Sequence, residues 1–130
     1  MLQGSCLCQR VRYRIEGAIS ELVHCHCQQC RKSHGAAFAS YINLRKEQLH
    51  WLNGTQDIRY YASSQQVQRG FCQHCASPLS WHSQQHPHWI SVPASSLDAP
   101  ANALAAVPQR HVHTDNRPDW ACVMPSLSQH

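Results

Sequence analysis

Cys25, Cys27 and Cys30 stand in the pattern C-x-C-x-x-C, three thiols within six residues. Side chains at i and i+2 of an extended segment project to the same side, so Cys25 and Cys27 face one point. A C-x-x-C turn then folds Cys30 back beside them. Three sulfurs around one point suit a soft, tetrahedral cation, zinc above all. They fill three corners and leave the fourth to be supplied.

Five more cysteines, Cys6, Cys8, Cys72, Cys75 and Cys122, bring the total to eight in 130 residues. The even count admits four disulfides in a secreted scaffold. The clustering argues otherwise. C-x-C and C-x-x-C pairs would close strained loops if oxidised, whereas metal sites use such pairs routinely. The N-terminus also lacks a charged segment followed by an apolar run, so a reducing, cytoplasmic setting is expected. Pairing Cys27 and Cys30 with Cys72 and Cys75, as in a zinc ribbon, leaves a gap of 41 residues. The compact ribbon uses about 15–20. That grouping would also orphan Cys6, Cys8 and Cys25. The better division closes one structural site from Cys6, Cys8, Cys72 and Cys75. It leaves Cys25, Cys27 and Cys30 as a second site, and Cys122 as a packed or idle thiol.

Short strands must position these groups. Arg10–Ile15 alternates strictly and places Val11, Tyr13 and Ile15 inward, with three arginines on the other face. Leu22–Cys25 reads as a strand entering the central cluster, and Arg31–Gly35 as a polar turn leaving it. Ala36–Asn43 is a further strand, buried at Phe38 and Ile42 or at Ala37 and Tyr41. Asn53-Gly54, between Leu49–Leu52 and Asp57–Tyr61, is a hairpin signal. Strands are also expected at Gln66–Phe71, Leu79–His82, Trp89–Val92 and His111–His113, with a helical turn near Ser96–Asp98. No amphipathic stretch is long enough for a substantial helix. The fold class is therefore all-β.

The length fits one domain, residues 1–130, with a single modest core. Eleven Lys+Arg against seven Asp+Glu give a formal net charge of +4. That mild excess, without a basic patch or an aromatic stacking platform, argues against a nucleic-acid partner. No apolar run reaches the length of a membrane span.

Three stretches, Gly4-Ser5-Cys6-Leu7-Cys8, Cys25–Phe38 (CHCQQCRKSHGAAF) and Phe71-Cys72-Gln73-His74-Cys75, carry a resemblance in order and spacing. The sequence resembles the glutathione-dependent formaldehyde-activating enzyme family, also called the GFA/CENP-V domain. The ending, Arg110–His113 with Arg117–Trp120, is similar more loosely. The resemblance implies a β-rich, Mss4-like fold with two zinc ions. One is structural, on Cys6, Cys8, Cys72 and Cys75; the second lies on Cys25, Cys27 and Cys30. Gln9 and Ala76 depart from the family, which usually has glycine at these positions. Glycine permits positive φ in a metal knuckle, so slight strain is expected there.

Zinc on three thiolates carries a net charge of −1 and is a weaker Lewis acid than zinc on three histidines. It suits a further soft ligand, and a thiol bound there is deprotonated at neutral pH. The chemistry implied by the resemblance is addition of a glutathione thiolate to formaldehyde, or cleavage of S-(hydroxymethyl)glutathione. Either is carbon–sulfur lyase chemistry. His34, just past Cys30, is the candidate proton donor. His26, between two ligands, points away from the metal; His24 and His74 are candidate replacement ligands. Arg31 and Lys32 are candidates for the carboxylates of glutathione, against the plainer reading of a solvated turn. The competing reading is a non-catalytic binding module with two structural zinc sites. A fourth protein ligand, such as His34 or Cys122, would favour it.

Overall fold

A computed structural model describes residues 1–121, in which ten short strands form two sheets, joined by one α-helix and four single-turn 3-10 helices. The smaller sheet holds β1 (Leu2–Ser5), β2 (Arg12–Ile15) and β5 (Leu49–Asn53), in the order β1-β2-β5. The larger contains β3 (Leu22–Cys25), β4 (Ala39–Arg45), β6 (Ile58–Ala62), β7 (Val67–Cys72), β8 (Pro78–Ser83), β9 (Trp89–Pro93) and β10 (Gln109–Val112). Their spatial order is β10-β3-β4-β9-β8-β7-β6. Every pairing is antiparallel except β10 against β3. The all-β expectation is met, and no helix among the described residues is long and apolar enough to cross a membrane.

Alternation sets the layers. Val11, Tyr13 and Ile15 are buried as the strand pattern requires. Tyr13 and Ile15 join Leu22, Ile42, Leu44, Leu49 and Val92 in the main core between the sheets. A second core holds Cys6, Val11, Ile58, Cys72 and Leu79. The strand β4 is buried on both faces. Ile42 and Leu44 face the main core, while Ala39 and Tyr41 pack against Cys25 and Cys30. The two burial patterns expected as alternatives for this strand are thus both realised in part, at Ile42 and at Tyr41.

Three local expectations are corrected. The residues after Cys27 form an α-helix, α1 (Gln28–His34), instead of a polar turn. Cys27 is its N-cap, with Sγ accepting from the Cys30 amide at 3.4 Å, and Gly35 closes it in the left-handed region. Arg31, Lys32 and His34 lie in its last turn, where cations suit the helix dipole. Asn53-Gly54 does not make a hairpin. β5 pairs with β2 and β6 with β7, so the chain passes between sheets at this point. Asn53 Nδ2 donates to the Arg10 carbonyl at 3.0 Å. Gly54 packs so closely on that carbonyl that a Cβ would overlap it. The one-turn helix expected near Ser96–Asp98 lies slightly earlier, at Ala94–Ser96.

Gln9 and Ala76, at the turns after Cys8 and Cys75, have φ of 67° and 63°. The strain expected from missing glycines is present at both. Ala76→Gly should therefore raise the stability of the zinc-loaded protein by about 0.5–1 kcal/mol. Gly54→Ala, at φ 87° and against backbone, should lower it by about 2–3 kcal/mol. Urea denaturation at fixed metal load measures both; equal or same-signed shifts would contradict this account of the turns.

Candidate functional site

The turn after β1 carries Cys6 and Cys8, while Cys72 ends β7 and Cys75 follows in the next turn. Their four Sγ atoms lie within 4.8 Å of one another. Cys6 to Cys8 is 3.6 Å and Cys8 to Cys72 is 3.8 Å. Sulfurs on tetrahedral zinc at about 2.3 Å stand about 3.8 Å apart, so the donor set fits zinc. Amides of Val11 and His74 donate to Cys6 Sγ and Cys72 Sγ, each at 3.4 Å, as donors to thiolates do. This cluster bridges the smaller sheet to the larger one.

The second cluster combines the end of β3, at Cys25, with the N-cap and first turn of α1, at Cys27 and Cys30. Its three sulfurs also lie within 4.8 Å of one another, and no further His, Cys, Asp or Glu among the described residues completes the set. Cys25 and Cys30 are buried and Cys27 is half-buried. Cys122 lies outside the described residues. Both groupings follow the division expected from spacing.

Arg69 supplies the electrostatic setting, and sequence reading missed it. It is 8% exposed. Its Nη2 donates to Cys30 Sγ at 3.6 Å, Nη1 to the Tyr41 hydroxyl at 3.1 Å, and Nε to Ser63 Oγ at 3.1 Å. No carboxylate among the described residues pairs with it. A buried cation needs a compensating anion, and the sulfur of Cys30 is the group in contact. The Cys30 thiol is correspondingly held well below the ordinary range, by donation from Cys25 and then by Arg69, against the effect of burial. This is the donor chemistry of a metal-bound thiolate. The available signal was the alternation of β7, which puts Arg69 on the same face as Val67.

His34 is one hydrogen bond removed from the sulfurs. Its Nε2 meets the Tyr41 hydroxyl at 2.9 Å, and that hydroxyl is 3.9 Å from Cys30 Sγ. Burial lowers the affinity of His34 for a proton and raises that of Tyr41. His26 does not join the three thiols; it is buried, with Nε2 at 2.8 Å from His111 Nδ1. His24 bonds Ser40 and Gln109, and His74 bonds Asp57, so neither joins a cluster. Arg31 is tied to the carbonyls of His26 and Asn116. Lys32 is exposed and makes no ion pair among the described residues.

The three thiols open onto a cavity of about 340 Å³ on one face of the larger sheet. Val112 of β10, Val23 of β3, Tyr41 of β4, Trp81 of β8, and Val67 and Arg69 of β7 contribute its walls. His113, in the left-handed region at φ 57°, stands at its edge. The whole arrangement is a three-thiol centre beside a mainly apolar chamber, with one buried guanidinium.

Residues 1–116 match the family described as glutathione-dependent formaldehyde-activating enzyme. A Halomonas elongata protein named provisionally as such an enzyme is 30% identical over 128 residues, covering 92% of this chain and 79% of the relative. An uncharacterised lyase of Schizosaccharomyces pombe is 25% identical over 91 residues, 68% of this chain and 64% of its own. A Rhodobacter sphaeroides protein of known crystal structure superposes with a TM-score of 0.66 at 21% identity, covering 83% of this chain and 99% of that one. That likeness concerns the fold. With the match spanning nearly all the described residues and both cysteine clusters inside it, the chain belongs to the glutathione-dependent formaldehyde-activating enzyme family.

Proposed function

We propose that this chain is a single-domain, zinc-dependent carbon–sulfur lyase acting on thiol–aldehyde adducts such as S-(hydroxymethyl)glutathione. The observation that carries the reading is the second cluster: three thiols, no fourth protein ligand among the described residues, and a cavity at the open side. Cys6, Cys8, Cys72 and Cys75 hold the structural ion and Cys25, Cys27 and Cys30 the second. Zinc bound there supplies a soft acceptor that keeps the substrate sulfur as thiolate.

The remaining work falls to the chain. In the cleavage direction the carbon–sulfur bond breaks with its electron pair on sulfur, the hydroxyl proton leaves, and the carbonyl forms. The reverse direction needs a proton for the new oxygen. Tyr41 and His34 together can hold that proton, since the hydroxyl and Nε2 share a 2.9 Å hydrogen bond and Tyr41 lines the cavity. Tyr41 is the group at the cavity; His34 acts through it. Arg69 offsets the net negative charge of three thiolates on a divalent ion, so a fourth, anionic sulfur can approach a centre near neutrality.

Two measurements test this. Cobalt-substituted protein titrated with glutathione should show growth of the sulfur-to-cobalt charge-transfer band, saturating at one equivalent per chain. Two bound cobalt ions with no spectral change would support the binding-module reading with two structural sites. Arg69→Met should weaken the second metal by about tenfold, as expected for losing the cation beside buried thiolates, and spare the four-cysteine ion. Competition with a chelator would reveal two metal classes in this variant; unchanged release of both ions would remove Arg69 from the account.

A further inference from the structure

The chamber beside the three thiols is larger and more apolar than formaldehyde requires. A hydroxymethyl group adds two heavy atoms to the sulfur, on the order of 60 Å³ at about 30 Å³ for each water-sized group. The cavity measures about 340 Å³. Even with the ion and the substrate sulfur in place, most of that space is left for something else.

Charge decides what that occupant is. A glutathione chain would bring two carboxylates. Among the described residues Arg69 is the one Lys or Arg side chain lining the chamber, and one N–H of each of its nitrogens already donates, to Ser63, Tyr41 or Cys30, whose thiolate takes up its charge. At the end formed by β4 and β9, Asn43 and Ser91 bond each other at 2.6 Å, and Asn43 Nδ2 donates to Glu21 at 3.0 Å. Glu21 is in turn paired with Arg110. A carboxylate placed at that end would meet an Asn43 amide already donating to Glu21, and no free cation among the described lining residues. Burying it there uncompensated would be costly. The neighbouring cavity suits the charged tail better. It measures about 360 Å³, shares Gln29 and Arg69 with the first, and contains Lys32 and Ser33.

We infer that the chamber walled by Val23, Val67, Trp81 and Val112 selects an apolar substituent on the substrate sulfur, so that adducts of aromatic or medium-chain aldehydes are preferred over the formaldehyde adduct. The inference rests on the lyase reading of the site for its reaction, and on the cavity alone for its specificity. Val23 and Val112 come from the neighbouring strands β3 and β10, and Trp81 and Val67 from β8 and β7. An aryl or alkyl group placed among them leaves water for an apolar wall.

The test separates specificity from turnover. The cobalt-substituted 130-residue chain is titrated with 2-phenylethanethiol and with 2-mercaptoethanol, following the charge-transfer band. The aromatic thiol should bind at least tenfold more tightly. The isosteric variants Val67→Thr and Val112→Thr, which keep wall volume while adding a hydroxyl, should each cut that ratio about threefold, and the double variant should cut it about tenfold. Turnover is then compared for the glutathione adducts of formaldehyde and phenylacetaldehyde. Tight aromatic binding that responds to the variants, with neither adduct cleaved, would uphold the specificity and reject the lyase reading. Faster cleavage of the formaldehyde adduct than of the phenylacetaldehyde adduct, equal affinities for the two thiols, or a ratio untouched in the double variant would overturn the specificity and leave the lyase reading standing.

Discussion

The four-cysteine cluster is the constraint on which both sheets depend. Its first pair follows β1 in the smaller sheet and its second pair follows β7 in the larger, with Cys8 and Cys72 separated by 64 residues in sequence and 3.8 Å in space. Strands of four to seven residues bury little apolar surface each. The core beside this cluster includes two of its own ligands, Cys6 and Cys72, packed with Val11, Ile58 and Leu79. Metal binding at this cluster would therefore be coupled to core packing, and loss of an ion held there would expose buried sulfur as well as free the two loops. The positive φ of Gln9 and Ala76 shows the same dependence locally: closing both knuckles holds two residues where ordinary side chains are disfavoured.

The second cluster depends on a different balance. Three thiols at the end of β3 and the start of α1 would concentrate negative charge in a half-enclosed site. Arg69 meets that charge from across the sheet, braced by Tyr41 and Ser63. The structural and chemical roles of β4 are divided by its two faces. Ile42 and Leu44 lock it into the core, so Tyr41 on the opposite face is held in place beside Cys30 and His34. A strand with one solvated face would hold that hydroxyl less firmly.

Much of this was legible in the sequence, for identifiable reasons. Strict alternation in Arg10–Ile15 gave the burial of Val11, Tyr13 and Ile15, because period-two patterning is a local consequence of the extended chain. The cysteines sorted into two groups by spacing, since C-x-C and C-x-x-C constrain their sulfurs locally. The helix α1 was not legible. Among its seven residues only Cys30 is buried, so no apolar stripe announces it; the cap sulfur of Cys27 and Gly35 define it instead. Asn53-Gly54 carries genuine turn chemistry, but the flanking strands belong to different sheets, a choice made by tertiary packing. Arg69 was missed because its partners, Cys30 and Tyr41, lie 39 and 28 residues away, and an arginine in a strand usually reads as solvated.

The size of the chamber follows from this same architecture. Six strands of one sheet contribute to its lining, from β10 at one edge to β7 near the other. The three thiols occupy only one part of that surface, where β3 runs into α1. The remaining lining is set by alternation on β3, β7, β8 and β10, which turns Val23, Val67, Trp81 and Val112 to the thiol side. On the proposed lyase reading, metal-site geometry and substrate selectivity fall to different residues of the same face. The cysteines and Arg69 are bound by the requirements of charge and coordination, whereas the valines and Trp81 answer only to volume and polarity. Changes at those four positions can retune which sulfur substituent fits without disturbing the thiol centre, so relatives that share every cysteine need not share a substrate.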